Sequence, residues 1–222
     1  MIVSKTSFFY LHGFASGPSS AKAKLFSEKL RQLGVQVVVP DLNQPAFEEM
    51  TLTSQLQVIE SCARSANPET DFTIVGSSMG GLLATIFAQA RPSVKALILL
   101  APGFELLERW KQWLGEAGME KWQRDGVIPI YHYSFEREMP LNYGFLEDAR
   151  KYDSDNLRVN IPTLVFHGTK DTVVPLASSL RFCRRNPEVA QLVELKDDHQ
   201  LLRSAPAIWS TTQAFLQKHE LL

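Results

Sequence analysis

Phe72-Thr73-Ile74-Val75-Gly76-Ser77-Ser78-Met79-Gly80 is the stretch on which the reading of this chain turns. An apolar run gives way to a serine with a glycine two places to either side. Leu82-Leu83-Ala84-Thr85-Ile86-Phe87-Ala88 then supplies helix formers. The pattern predicts strand, tight turn and helix with Ser78 at the apex, which is the G-x-S-x-G nucleophile elbow. Such a turn strains the serine backbone and lifts its hydroxyl above the sheet edge. A side chain at either flanking position would collide with the approaching strand or helix, so glycine fits both. Ser77 is the nearest competitor, but the elbow exposes its neighbour. A chance match is the bland alternative, and the surrounding pattern weighs against it.

Two later segments supply partners. Pro162-Thr163-Leu164-Val165-Phe166 reads as a buried strand and runs into His167-Gly168-Thr169-Lys170-Asp171, which puts Asp171 in the loop just past a strand. Val189 to Leu195 reads as another strand, followed by Asp197-Asp198-His199. A serine hydroxyl becomes a useful nucleophile when an imidazole takes its proton. The imidazole in turn needs a carboxylate on its other nitrogen to fix its tautomer. Ser78, Asp171 and His199 stand in the order Ser…Asp…His, which differs from the order in the chymotrypsin and subtilisin classes. Glu105, just past Ala101-Pro102-Gly103, stays open as an alternative acid. Asp197 and Asp198 are too close in sequence to orient the His199 ring easily. The strand Phe8-Phe9-Tyr10-Leu11 running into His12-Gly13-Phe14 is where an oxyanion donor is expected. Position alone assigns the two donors to the backbone N–H groups of Phe14 and Met79. His12 and His167, each before a glycine at a strand end, read as structural, and His132 and His219 as solvated.

With these residues in view, the chain resembles a serine hydrolase of the α/β-hydrolase superfamily from about residue 7 to its end. Tyr10-Leu11-His12-Gly13-Phe14, Ser20-Ala21-Lys22-Ala23 and Val75-Gly76-Ser77-Ser78-Met79-Gly80-Gly81 are similar to the short bacterial YqiA-like esterases. Tyr131-His132-Tyr133-Ser134-Phe135, the His167-Gly168…Asp171…Val174-Pro175 segment and Asp198-His199 resemble more closely the acyl-glucuronide esterases that also act as palmitoyl-protein thioesterases. The resemblance implies Ser78 as nucleophile, Asp171 as acid and His199 as base.

The rest of the chain fits that frame. Strand-like runs at 7–12, 35–40, 72–76, 94–101, 162–167 and 189–195 are apolar with little alternation. They are separated by helix-like runs at 20–33, 51–66, 79–90, 176–184 and 204–218. The alternation predicts an α/β fold with a mostly parallel, doubly wound sheet. Gly34 is expected to end the first helix. At 222 residues the chain reads as one domain over 1–222. Residues 103–156 are too long for a bare connection and read as a small helical lid insertion after the sixth strand of the resembled fold. Phe104, Leu107, Trp110 and Leu114 fall on one helical stripe there. Phe104, Leu107 and Trp110 are candidates for an acyl or aryl pocket, with ordinary core packing as the alternative.

Net charge is −1, with 23 basic against 24 acidic residues, which favours neither nucleic acid nor an anionic membrane. Cys62 and Cys183 lack disulfide-framework or zinc spacing and read as small hydrophobes on helix faces, suited to a reducing compartment. Met1-Ile2-Val3-Ser4-Lys5 runs almost straight into the first strand without a leader, and no apolar run is long enough for a membrane span. The expectation is a soluble, cytoplasmic protein. No metal- or nucleotide-binding motif is present, so no cofactor is expected. The substrate is expected to be a small-molecule ester or thioester, with a peptidase, an acyltransferase or a non-catalytic binding protein as alternatives. Oligomeric state is open.

Overall fold

The computed structural model describes residues 6–66 and 70–222. The reading of Met1 to Lys5 lies outside the described residues. In chain order the elements are β1 (Thr6–Leu11), α1 (Ala21–Gln32), β2 (Val37–Val38), a 3₁₀ turn (Phe47–Glu49), α2 (Leu52–Arg64), β3 (Asp71–Ser77), α3 (Met79–Gln89) and β4 (Val94–Leu100). Next come α4 (Leu106–Asp125), β5 (Val127–His132), β6 (Arg137–Asn142), α5 (Gly144–Ala149), β7 (Thr163–Gly168), α6 (Leu176–Arg185), β8 (Ala190–Leu195) and α7 (Ala205–Lys218). Six of the strands form one sheet in the order β2-β1-β3-β4-β7-β8, and every neighbouring pair is parallel.

That sheet is apolar on both faces, as parallel strands between helices must be. Phe9 and Leu11 of β1, Ile74 of β3 and Leu97 and Leu99 of β4 point to one core, shared with Leu52 and Ile59 of α2, Leu82 and Leu83 of α3 and Phe182 of α6. Their strand neighbours Phe8, Tyr10, Val75, Ile98 and Leu100 point to the other, shared with Phe26 and Leu30 of α1 and Ile208, Phe215 and Leu216 of α7. Period-two alternation therefore divides one apolar strand sequence between two cores.

The strand order reverses at β1, whose two neighbours are β2 and β3. In open α/β sheets the crevice outside the strand carboxyl ends at such a reversal is where ligands bind. Leu11, the last residue of β1, pairs with Gly76, which brings His12-Gly13-Phe14 beside the turn after β3. Gly34 adopts φ 77° past the end of α1 and takes its N–H back to the Arg31 carbonyl oxygen at 2.9 Å, the expected helix stop.

Three expectations need correction. The 35–40 strand shrinks to Val37–Val38, because it lies at the sheet edge with a single neighbour. The insertion between β4 and β7 is not wholly helical. It holds α4 and α5, but also an antiparallel hairpin in which β5 and β6 pair from Val127↔Asn142 to His132↔Arg137. Phe104 also lies before α4 rather than on its stripe, and the helix is interrupted at Gly115 (φ 66°, ψ 174°). The insertion packs on the core of α2 and α3 through Trp110, Trp122, Ile130, Leu141 and Phe145. Trp122 Nε1–H donates to the Leu141 carbonyl oxygen at 3.0 Å. Asp148 of α5 accepts the backbone N–H and hydroxyl of Thr53 on α2, at 2.8 and 2.7 Å.

Glycine at position 80 is a steric requirement. A Cβ there would land on the Leu11 carbonyl oxygen and 2.7 Å from that of His12. Gly80→Ala is therefore expected to lower stability by about 1–3 kcal/mol, seen as a fall of several degrees in Tm by calorimetry. Gly144→Ala, where nothing lies within 4 Å of the added Cβ, should melt within about a degree of wild type.

Candidate active site

Ser78 sits between β3 and α3 with φ 52° and ψ −119°, a conformation side chains rarely adopt. Backbone hydrogen bonds hold it there. Its N–H donates to the Leu100 carbonyl oxygen at 2.9 Å, and its own carbonyl accepts from Gly81 at 2.9 Å and Gly103 at 2.8 Å. A Cβ on Gly76 would meet the Gly80 carbonyl oxygen at 2.5 Å, so the glycine lets strand and helix close on the turn. Ser77 is buried at 3% exposure, whereas Ser78 is half-buried.

The structure brings Ser78, Asp171 and His199 together. His199 Nε2 lies 3.1 Å from Ser78 Oγ, and its Nδ1 lies 2.7 Å from Asp171 Oδ2. With Nδ1–H donating to the carboxylate, Nε2 is left as the acceptor for the serine hydroxyl. Asp171 is anchored at its other oxygen by the N–H groups of Val173 and Val174, each at 2.8 Å. Burial by itself raises the Asp171 carboxyl. Hydrogen bonds from His167 and His199, the charge of His199 and the Val174 N–H together hold it well below the usual carboxylate range.

Glu105 is engaged elsewhere. Its oxygens accept from Arg181 Nε and Nη2, both at 2.5 Å, and from the Ser178 hydroxyl at 2.7 Å. The Arg181 hydrogen bond is the main cause that holds its carboxyl down. Asp197 accepts the N–H groups of Asp198 and Ser204, and Asp198 accepts that of Gln200, so both serve the turn around His199.

Phe14 follows Gly13, whose added Cβ would lie 3.3 Å from Ser78 Cβ, and Met79 opens α3 next to Ser78. The Phe14 ring packs on Phe47, Trp110 and Phe145. Of the pocket candidates, Phe104 stacks on Phe182 with centroids 4.6 Å apart. Phe104 and Trp110 are 2% and 7% exposed, inside the core that Leu107 borders. Packing against α6 and the other insertion aromatics takes up these rings.

His132 is not solvated. It is fully buried between the rings of Phe47 and Phe135, with Nε2 3.5 Å from Asn43 Oδ1. Its hairpin docks on the loop after β1, where Tyr133 N–H donates to the Ala15 carbonyl oxygen at 2.9 Å. His219 is half-buried against Phe215. Cys62 and Cys183 are partly buried against the α2–α3 core. Burial pushes the Cys183 thiol up to about 11.

Sequence reasoning gave no role to Arg109 or Lys22. Arg109 donates to the carbonyl oxygens of Phe104 and Gly103, each at 2.9 Å, so it braces the Gly103 peptide that bonds Ser78. Lys22 lies in the Ser20-Ala21-Lys22-Ala23 stretch, which was the available signal. Its Nζ donates to the His199 carbonyl oxygen at 3.4 Å.

A family model described as an uncharacterised protein family, UPF0227, matches residues 7–216. The chain belongs to that family. The human protein named palmitoyl-protein thioesterase ABHD10, mitochondrial, is 26% identical over 211 residues, which span 88% of this chain and 67% of that one. The mouse protein of that name is 30% identical over 139 residues, 60% of this chain and 46% of that one. Among solved structures, mouse alpha/beta hydrolase domain-containing protein 10 superposes with a TM-score of 0.82 at 23% identity, covering 96% of this chain and 90% of that one. Est1E from Butyrivibrio proteoclasticus, with ferulic acid bound, gives 0.75 at 20% identity with the same coverage. These likenesses and the parallel sheet show the α/β-hydrolase fold. Among the described residues no helix is long and apolar enough to cross a membrane.

Burial lowers the Lys22 pKa to about 8 against the opposing charges of Asp171, Asp198 and Asp197. An unfolded lysine titrates near about 10.4, so from about pH 8 to 10 the unfolded chain binds more protons and stability rises with pH. Lys22→Met is therefore expected to melt above wild type at neutral pH. The advantage should narrow across that window in a series of melting curves, and a gap independent of pH would contradict the assignment.

Proposed function

We propose that this protein is a serine hydrolase of carboxylic esters or thioesters, working through an acyl-enzyme on Ser78. The observation that carries the reading is the hydrogen-bonded line from Ser78 Oγ through both nitrogens of His199 to buried Asp171. The human relative, named as a palmitoyl-protein thioesterase, supports the same class.

In this mechanism Ser78 Oγ attacks the acyl carbonyl carbon while its proton passes to His199 Nε2. Asp171 holds the ring in the Nδ1–H tautomer and stabilises the imidazolium. The N–H groups of Phe14 and Met79 take the oxyanion of the tetrahedral intermediate. Collapse expels the alcohol or thiol, which takes the proton from His199. A water molecule then gives its proton to His199, attacks the acyl-enzyme and releases the acid with Ser78 restored. Asp171 is assigned as the acid because Glu105 is neutralised by Arg181. Residues 103–156 act as the lid over this site, and the substrate is a small-molecule ester or thioester.

Intact-mass spectrometry after fluorophosphonate treatment tests the reading. Wild type is expected to gain one adduct and Ser78→Ala none. Turnover of p-nitrophenyl esters or acyl thioesters should fall by about 10⁴-fold or more in Ser78→Ala without a change in fold. Asp171→Asn should also lose most activity, while Glu105→Gln keeps the greater part of it. Full activity in Ser78→Ala would refute the mechanism. A rise in rate with acyl chain length would mark a lipid-type thioesterase, and a preference for acetyl or butyryl groups a small-ester esterase.

A further inference from the structure

Asp171 is held by more than the ring it orients. Its side chain is fully buried, and its Oδ2 faces two imidazoles: Nδ1 of His199 at 2.7 Å and Nε2 of His167 at 3.2 Å. His167 ends β7, and its side chain is also fully buried.

The neighbours of His167 determine its proton. Nε2 also lies 2.9 Å from the Val174 carbonyl oxygen. A carbonyl and a carboxylate only accept, so Nε2 carries a hydrogen, bonded to the Val174 carbonyl and close to Asp171 Oδ2. Nδ1 lies 2.8 Å from the hydroxyl oxygen of Ser179 on α6, which is equally buried and can donate to it. A neutral ring with Nε2–H satisfies all three contacts. It also adds no further charge to a dry site already faced by the cations of Lys22 from α1 and Arg109 from α4.

We propose that His167 is a positioning residue that acts through Asp171, its Nε2–H fixing the Oδ2 on which His199 depends and Ser179 fixing the tautomer that makes this possible. The proposal rests on the Ser78–His199–Asp171 reading and extends the line by two residues, into α6. A buried carboxylate favours the neutral acid unless donors point at it. A protonated Asp171 could no longer orient His199 as an anion does. A histidine that merely braced the fold would need the bonds to Val174 and Ser179, but not the approach to the reacting carboxylate.

The test follows the Asp171 carboxyl by ¹³C NMR and the His167 ring by ¹⁵N NMR in wild type, His167→Phe and Ser179→Ala. It is paired with pH profiles of kcat and KM on an acyl thioester and with melting curves. Wild-type His167 should show the shifts of an Nε2–H tautomer, as its partners require. In His167→Phe the Asp171 titration should move to higher pH. Its kcat should fall roughly ten- to hundredfold, with the acid limb moved up in pH and KM nearly unchanged. Ser179→Ala should show the same changes to a smaller degree, and it stands as the test if His167→Phe does not fold. An Asp171 titration unchanged in the folded variants would overturn the proposal, as would an activity loss that only follows the loss of Tm. The NMR readout needs no turnover, so a wild type inactive on every ester would count against the hydrolase reading while the Asp171 titration still decides the role of His167.

Discussion

The close approach of three backbone segments around Ser78 is the constraint on which the rest of the site depends. The end of β1, the turn after β3 and the Gly103 peptide after β4 meet there, and no side chain can intervene at Gly76 or Gly80. A non-glycine residue at φ 52° costs on the order of 1–3 kcal/mol, so it persists only where its surroundings over-determine it. Hydrogen bonds from Ser78 to Leu100, and from Gly81 and Gly103 to Ser78, do so. The strained turn turns Ser78 out of the sheet, while Ser77 remains buried beside it.

One helix sorts the carboxylates around this turn. Ser178 and Arg181 of α6 bond Glu105, the acid past the end of β4. Ser179, on the same helix, bonds His167 beside Asp171. The two acids thus differ by their donors rather than by their distance from a strand end. Asp171 has backbone N–H groups and imidazoles as its direct neighbours. Glu105 has a guanidinium, which ties the carboxylate down.

The parts legible in the sequence were those fixed by local pattern. Glycine spacing around Ser78 encodes a turn, apolar runs encode buried parallel strands, and Asp171 and His199 follow their strands directly. The hairpin in the insertion was less legible because Pro129 and Pro140, which face each other across it, weaken any strand reading. His132 was misread because burial of a polar side chain depends on contacts distant in sequence, here Phe47 and Asn43. The same holds for His167. Its place before glycine suggested a structural histidine, but only the fold shows that Asp171, Val174 and Ser179 converge on its ring.

The insertion and the loop after β1 form one packed unit, which bears on Phe14, an oxyanion donor in the proposed mechanism. Phe14 contributes its ring to the cluster of Trp110 and Phe145 from the insertion, and it follows Gly13, whose added Cβ would lie 3.3 Å from Ser78 Cβ. Tyr133 N–H bonds Ala15 immediately beyond it. Trp110 in turn packs on Trp122 and on Trp113, which is 63% exposed. Aromatic rings packed this way transmit displacement because close-packed interiors compress little. The position of the Phe14 N–H is therefore set as much by the aromatic packing of residues 103–156 as by the strand that leads into it.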